Sequence, residues 1–146
     1  MTTKAAFTPE EWTRVLEGPT SAGLIVVTAA RGGVVKETIA MSKAYVEARS
    51  RRGASELLDE IVGTKPKSDH THYRSAEEVR QAGLTHVRDA VSLLEKKATP
   101  EEVEDFKHFV VDLAHRVASA HKEHGVPESP AEVSAIHDIE SALSVG

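Results

Sequence analysis

Residues 99–124, TPEEVEDFKHFVVDLAHRVASAHKEH, form the stretch that decides the fold. Thr99 can cap a helix by accepting a hydrogen bond from the amide three residues on, and Glu102 can reach back to the Thr99 amide. Pro100 suits the first helical position, where a missing N–H costs nothing. Apolar residues then recur at three- and four-residue steps, which places them on one face: Val103, Phe106, Val110, Leu113 and Val117. A helix of roughly 25 residues is about 37 Å long, so this stretch predicts a bundle of helices packed along it.

The same helix-start pattern occurs three more times, at Thr8–Glu11, Ser75–Glu78 and Ser129–Glu132. With the apolar periodicity it predicts an all-α fold: a single-domain bundle of about seven helices spanning residues 1–146, which could comprise two related halves. Residues 1–7 are expected to be a loose N-terminus, although Phe7 could pack on Trp12 beside the first cap. Residues 64–74 lack periodicity and are expected to form a long loop between the fourth and fifth helices.

The boundaries of the early helices follow from breakers and apolar runs. Gly18 and Pro19 are expected to end the first helix. A second helix is predicted over residues 21–30, and its apolar run, residues 24–27, makes it the most buried one. A third helix should run over residues 34–50 and a fourth from Ser55 to Gly63. The residues predicted to face inward on the third, fourth, fifth and seventh helices include Val46, Leu57, Ile61, Leu84, Val87, Val91, Leu94, Val133, Ile136, Ile139 and Leu143.

Composition excludes several classes of protein. Apolar residues make up 40% of the chain, and its longest apolar run is far shorter than the roughly 18 residues of a membrane span. The first six residues carry no secretory signal, so a cytoplasmic location is the default expectation. Absence of cysteine excludes thiol catalysis and cysteine-type zinc sites. The net charge of −5 opposes nucleic-acid binding, and Arg49, Arg51 and Arg52 lie at a predicted helix end, where the helix dipole favours cations.

The histidines provide the candidate metal site. Eight histidines are present, and the densest group is Asp69-His70-Thr71-His72 in the predicted loop. His-x-His in extended chain points both rings the same way, and with Asp69 or the distant His86 it could complete a site for a divalent transition metal, Zn, Ni or Fe. The alternative is a solvated polar loop whose side chains make turn hydrogen bonds. No catalytic residue and no cofactor-binding residue is predicted.

A second histidine pattern lies on the 99–124 helix, where an acid-x-x-His spacing occurs at Asp105–His108 and again at Asp112–His115. Di-iron bundles use Glu-x-x-His motifs that point into the core from two helices. Both histidines here fall off the apolar face, so they are expected to face solvent or a bundle edge. The chain also lacks the Gly-x-Ser-x-Gly elbow of hydrolases and the Lys-Ser/Thr of a phosphate-binding loop.

Two short stretches resemble the TerB-like proteins, bacterial all-helical domains named for tellurite resistance. Residues 27–37, VTAARGGVVKE, are similar to that family's Ala-rich helix, Gly turn and downstream Glu. His124-Gly125-Val126, followed by Ser129, Glu132 and spaced aliphatic residues, is similar to its second half. The resemblance implies a helical fold in two halves and a role in stress-associated or envelope-associated complexes, without established catalysis. Arg31 and His124 stand near the positions where the family carries the acidic residues implicated in metal binding.

The sequence therefore predicts a non-enzymatic helical module that acts through protein–protein contacts, as a homo-oligomer or with a helical protein partner, and without nucleic-acid binding or membrane insertion. The alternative hypothesis is a metal-binding protein, or a small metal-dependent enzyme, that uses Asp69, His70, His72 and His86.

Overall fold

The computed structural model describes residues 4–29, 43, 45–47, 57, 60–61, 76–122 and 130–144. Every regular element within these ranges is helical, which confirms the all-α prediction for this part of the chain. A 3-10 turn spans Lys4–Ala6, and four α-helices follow: α1 (Pro9–Ala29), α2 (Ala76–Lys97), α3 (Pro100–Lys122) and α4 (Pro130–Ser144). None of the helices that the structure describes is both long and apolar enough to cross a membrane.

Two capping boxes have the predicted geometry. At the start of α3 the Thr99 amide donates to Glu102 Oε1 at 2.9 Å, and the Glu102 amide donates to Thr99 Oγ1 at 3.2 Å. The corresponding distances for Thr8 and Glu11 at the start of α1 are also 2.9 and 3.2 Å. Each box satisfies amides that the first helical turn leaves without intrahelical partners. The connection between α2 and α3 is short because Thr99 caps α3 two residues after α2 ends.

Gly18 and Pro19 do not end the first helix, contrary to the prediction. α1 runs without interruption from Pro9 to Ala29, with Pro19 inside it. Proline removes an amide and crowds the preceding turn. Next to it, the Thr20 hydroxyl donates to the carbonyl of Glu17 at 3.1 Å and lies 3.5 Å from that of Leu16, two carbonyls other than the Val15 carbonyl that loses its amide partner. The first and second predicted helices are therefore one helix.

α1, rather than α3, is the central helix of the described part. It makes its most extensive contacts with α2 and also packs on α3 and α4. Its residues 18–26 are buried apart from half-buried Leu24, so Ile25 and Val26 of the apolar run lie in the core. The main core combines Phe7, Leu57 and Ile61 with buried residues from all four helices: Trp12, Val15, Leu16, Ala22, Ile25, Val26, Val87, Ala90, Val91, Leu94, Val103, Phe106, Val110, Ala114, Val117, Ala118, Ala135, Ile136, Ile139, Ala142 and Leu143.

Two valines predicted to face inward are exposed instead. Val46 is 58% exposed and Val133 is 41% exposed. Tyr45 takes the inward position beside Val46, because its ring packs edge-on against Phe109 with the centroids 5.2 Å apart. Val133 lies in the first turn of α4, whose buried face begins at Ala135 and Ile136.

Residues 4–7 are attached to the helices. Of the segment expected to be loose, residues 4–6 form the 3-10 turn and Phe7 is buried. The Phe7 and Trp12 ring centroids lie 5.6 Å apart, which confirms the predicted packing of Phe7 on the first helix. Most of the predicted third and fourth helices and the predicted loop at residues 64–74 lie outside the described residues.

Candidate functional site

His86 is the one member of the predicted metal site that falls within the described residues. Asp69, His70 and His72 lie outside them. His86 stands on α2, half-buried, and its Nδ1 lies 3.0 Å from Ser21 Oγ on α1. The sequence places Ser21 at the start of the predicted second helix and does not predict this contact.

Ser21 and His86 meet because α1 and α2 run antiparallel in close register. Gly18 lies opposite Ala90, and a Cβ placed on Gly18 would come within 2.9 Å of the Ala90 Cβ. Closer to the C-terminus of α1, Ile25 lies opposite Gly83 of α2, and a Cβ placed on Gly83 would come within 2.7 Å of the Ile25 Cδ1 atom. The Ser21–His86 contact lies between these two close approaches. The three- and four-residue spacing of Gly18, Ser21 and Ile25 was the signal that could have predicted this interface.

The chemistry open to the Ser21–His86 pair is limited by burial. A neutral imidazole can accept from the serine hydroxyl at Nδ1 or donate to it, depending on the tautomer. A hydroxyl next to an imidazole is also the first element of a nucleophile–base pair. Ser21, however, is only 6% exposed, so a substrate would have to displace packed helix to reach it. The pair acts as a polar contact between two helices.

His108 and His115 of α3 point outward, as predicted. Both are exposed on the face opposite the core. The inward Glu-x-x-His geometry of a di-iron bundle is therefore not formed by these residues. In the described ranges, no three His, Cys, Asp or Glu side chains come together as a metal-binding group.

One candidate interaction surface consists of an exposed apolar side chain, Val46, next to an ion pair. Glu47 forms an ion pair with Arg116 of α3, and with the Tyr45–Phe109 contact it fixes residues 45–47 against that helix. Val46 projects from between these two anchored residues and is more than half exposed. We call Val46, Glu47 and Arg116 the Val46 patch.

A second exposed valine has a similar setting on α4. Arg80 of α2 pairs with Asp138, and its guanidinium also donates to Ser134 Oγ at 3.3 Å. Ser134 directly follows the exposed Val133 in the first turn of α4. An ion pair between helices again fixes the backbone next to an exposed aliphatic side chain.

The N-terminal turn lies at the far end of α2 and adjoins a cleft. The cleft has a volume of about 710 Å³ and is lined by Ala5, Phe7, Thr8, Pro9, Trp12, Thr13 and Glu60. Beside it, the Lys97 ammonium lies 2.7 Å from Glu11 Oε1. The hydrogen bond from Lys97 to the Glu11 carboxylate is the largest cause that lowers the pKa of Glu11 below its usual value. The hydrogen bond from the Thr8 amide is the next largest and acts in the same direction.

Comparison of the chain with protein-family models, curated proteins and solved structures found no match.

Proposed function

We propose that the protein is a non-enzymatic helical module that binds another protein through the Val46 patch, and that this partner is a second copy of the chain or a helical protein. The observation that carries the proposal is the 58% exposure of Val46 beside the Glu47–Arg116 ion pair. Protein interfaces typically place apolar anchors at the centre and charged groups at the rim, and in the Val46 patch an exposed aliphatic side chain lies next to a charged pair.

The buried polar side chains of the described core support a non-enzymatic role. Those residues are Thr20, Ser21 and Glu102. Thr20 bonds to α1 carbonyls next to Pro19, Ser21 contacts His86 of α2, and Glu102 closes the α3 capping box. Each of these groups makes a contact that helix formation or helix packing requires, and such contacts account for its burial.

The resemblance to TerB-like proteins supports a more specific version of the proposal. Residues 27–37 and the stretch following Gly125 carry the pattern, and members of that group are associated with stress responses. We therefore propose that the partner belongs to a stress-associated assembly.

Sedimentation velocity from about 1 to 100 µM, a range that brackets ordinary interface affinities, tests self-association. We expect the wild-type chain to associate and Val46→Glu to weaken the association at least about tenfold, because a carboxylate would be desolvated in the interface. Ser92→Glu, which introduces the same charge at an exposed position of α2, is the matched control. Val133→Glu shows whether the second exposed valine belongs to the same interface.

A wild-type chain that stays monomeric at the highest concentration would refute the homo-oligomer. In that case cross-linking in the source cell tests the heterologous partner. The proposal requires a cross-linked species that is present with the wild-type chain and with Ser92→Glu but lost with Val46→Glu. Identical cross-links in all three would refute it.

A second candidate function is metal binding by Asp69, His70, His72 and His86. It is favoured by the contact of His86 Nδ1 with Ser21, since histidines that ligate metal through one ring nitrogen usually have the other held by a hydrogen bond. Tag-free protein should then melt at a higher temperature with zinc or nickel, because a ligand specific for the folded state stabilises it. The shift should disappear in His70→Ala/His72→Ala and persist in His108→Ala. No shift in the wild-type chain would exclude the site.

A further inference from the structure

Lys97, the last residue of α2, makes three contacts with the beginning of the chain. Its ammonium donates to the Ala6 carbonyl at 2.9 Å and to Glu11 Oε1 at 2.7 Å. It also lies 5.5 Å from the centroid of the Phe7 ring, which is within the range of a cation–π interaction. One side chain of α2 thus attaches both the 3-10 turn and the first turn of α1.

The 3-10 turn and Phe7 cover Trp12. Phe7 is 8% exposed and Trp12 is 5% exposed, with their rings in contact. Ala5 and Ala6, by contrast, are exposed. Within the described part of the chain, the segment at residues 4–7 contacts the fold through the Phe7 ring, packed on Trp12, and through the Ala6 carbonyl, bound to Lys97.

α1 does not need this segment in order to stay helical. Its cap is formed by Thr8 and Glu11, and its length is packed against α2 through the close approaches at Gly18 and Gly83. Segments held by few buried contacts open locally while the rest of a protein stays folded.

We propose that residues 4–7 form a strap that Lys97 closes over Trp12, and that the strap opens as a unit, with α1 intact, when the Lys97 ammonium is lost or neutralised. Opening exposes the indole and removes one wall of the cleft that Phe7 and Glu60 line. This inference is independent of the proposed partner surface, which involves different residues.

Trypsin cleavage after Lys4 measures the opening directly, because cleavage of a locally opened segment follows the population of the open form when reclosing is fast. Lys97→Met keeps the length of the side chain and removes its charge. We expect cleavage after Lys4 to accelerate about two- to fivefold, the range expected for the loss of an exposed ion pair. Lys96→Met is the matched control, since Lys96 is the neighbouring lysine in the last turn of α2. Lys97→Arg should retain the wild-type rate.

Fluorescence locates the change, since Trp12 is the single tryptophan of the chain. Acrylamide should quench Trp12 more strongly in Lys97→Met and in Phe7→Ala than in the wild-type chain, and Lys96→Met should not differ from wild type. Far-UV circular dichroism should stay unchanged in all variants.

Three results would overturn the inference. The first is wild-type cleavage and quenching in Lys97→Met while Phe7→Ala increases both, because Lys97 would then not hold the strap. The second is an equal increase in Lys96→Met, which would indicate a general effect of charge. The third is a loss of helical signal in Lys97→Met together with faster cleavage, because the strap would then not open separately from α1.

Discussion

Gly18 of α1 and Ala90 of α2 approach so closely that a Cβ on residue 18 would lie 2.9 Å from the Cβ of Ala90. The same added atom would lie 3.2 Å from Cζ of Phe106 on α3. Gly18 therefore occupies the junction of three helices, where only a hydrogen fits. Glycine at position 18 is therefore explained by the close packing of the three helices and not by a helix end.

Gly18→Ala should destabilise the fold by about 1–3 kcal/mol, the usual cost of overpacking a core. Alanine gains up to about 1 kcal/mol of helix propensity over glycine, but the Ala90 Cβ is fixed to its backbone and cannot move aside. Urea denaturation followed by Trp12 fluorescence measures the change. A Gly18→Ala variant as stable as the wild-type chain would show that α1 and α2 are farther apart than described.

Gly83→Ala should be less harmful, and a second substitution should relieve it. The added Cβ would meet Ile25 at 2.7 Å from Cδ1 and 2.8 Å from Cγ1, and the end of an isoleucine side chain can rotate. Ile25→Val removes Cδ1 and costs about 0.5–1.5 kcal/mol alone. In a double-mutant cycle the two changes together should cost less than the sum of the single ones. Strict additivity would contradict the contact.

The Ser21–His86 contact should appear as a coupling energy. Ser21→Ala and His86→Ala each remove one partner of the 3.0 Å contact. We expect a coupling of about 0.5–1.5 kcal/mol, the net contribution of a typical hydrogen bond, in a double-mutant cycle measured by urea denaturation. Zero coupling would mean that the contact contributes nothing to the packing of α1 on α2.

Thr99→Ala should destabilise the protein more than Thr8→Ala does, although both remove a helix cap. Replacement of an N-cap threonine costs about 0.5–2 kcal/mol. Glu102 is buried, 7% exposed, so the amide that loses Thr99 Oγ1 is poorly placed to bond with water. The Thr8 box is exposed to solvent, and water can replace the lost hydroxyl. Chemical denaturation of the two variants side by side checks the order, and a larger loss for Thr8→Ala would reverse the argument.

Acid should weaken the fold partly through Glu11. Lys97 and the Thr8 amide lower the pKa of Glu11 below its ordinary value of 4.5. A carboxyl whose pKa is lower in the folded state contributes stability that is present above pH 4.5 and lost as the pH falls through the folded-state pKa. The free energy of unfolding should therefore fall less steeply below that pH in Glu11→Gln. Glu10→Gln, at the preceding exposed position, removes the same charge from the first turn of α1 and is the matched control.

The sequence predicted correctly those features that depend on residues close together in the chain. The capping boxes at Thr8 and Thr99 and the packing of Phe7 on Trp12 depend on residues within a few positions of one another, and the structure has them as expected. The outward direction of His108 and His115 followed from helical periodicity in the same way.

Tertiary packing decided the points that sequence reasoning missed. Gly18-Pro19 is typical of a helix end, but the helix continues through it, with Gly18 packed closely against Ala90 and Phe106. The spacing of Gly18, Ser21 and Ile25 marks one face of α1, but His86 lies 65 residues from Ser21, so this spacing does not identify His86 as the partner. Val46 fits an apolar face by spacing, yet the ring contact of Tyr45 with Phe109 sets which neighbour turns inward.

The proline inside α1 has a mechanical consequence. Because Pro19 has no amide hydrogen, the Val15 carbonyl cannot accept the usual hydrogen bond from residue 19, and kinks in helices concentrate at such positions. Bending stiffness along α1 should therefore be lowest between Val15 and Pro19. We therefore expect the part of α1 before Val15, which carries Trp12, to bend as a unit relative to the part after Pro19, which is packed among the neighbouring helices.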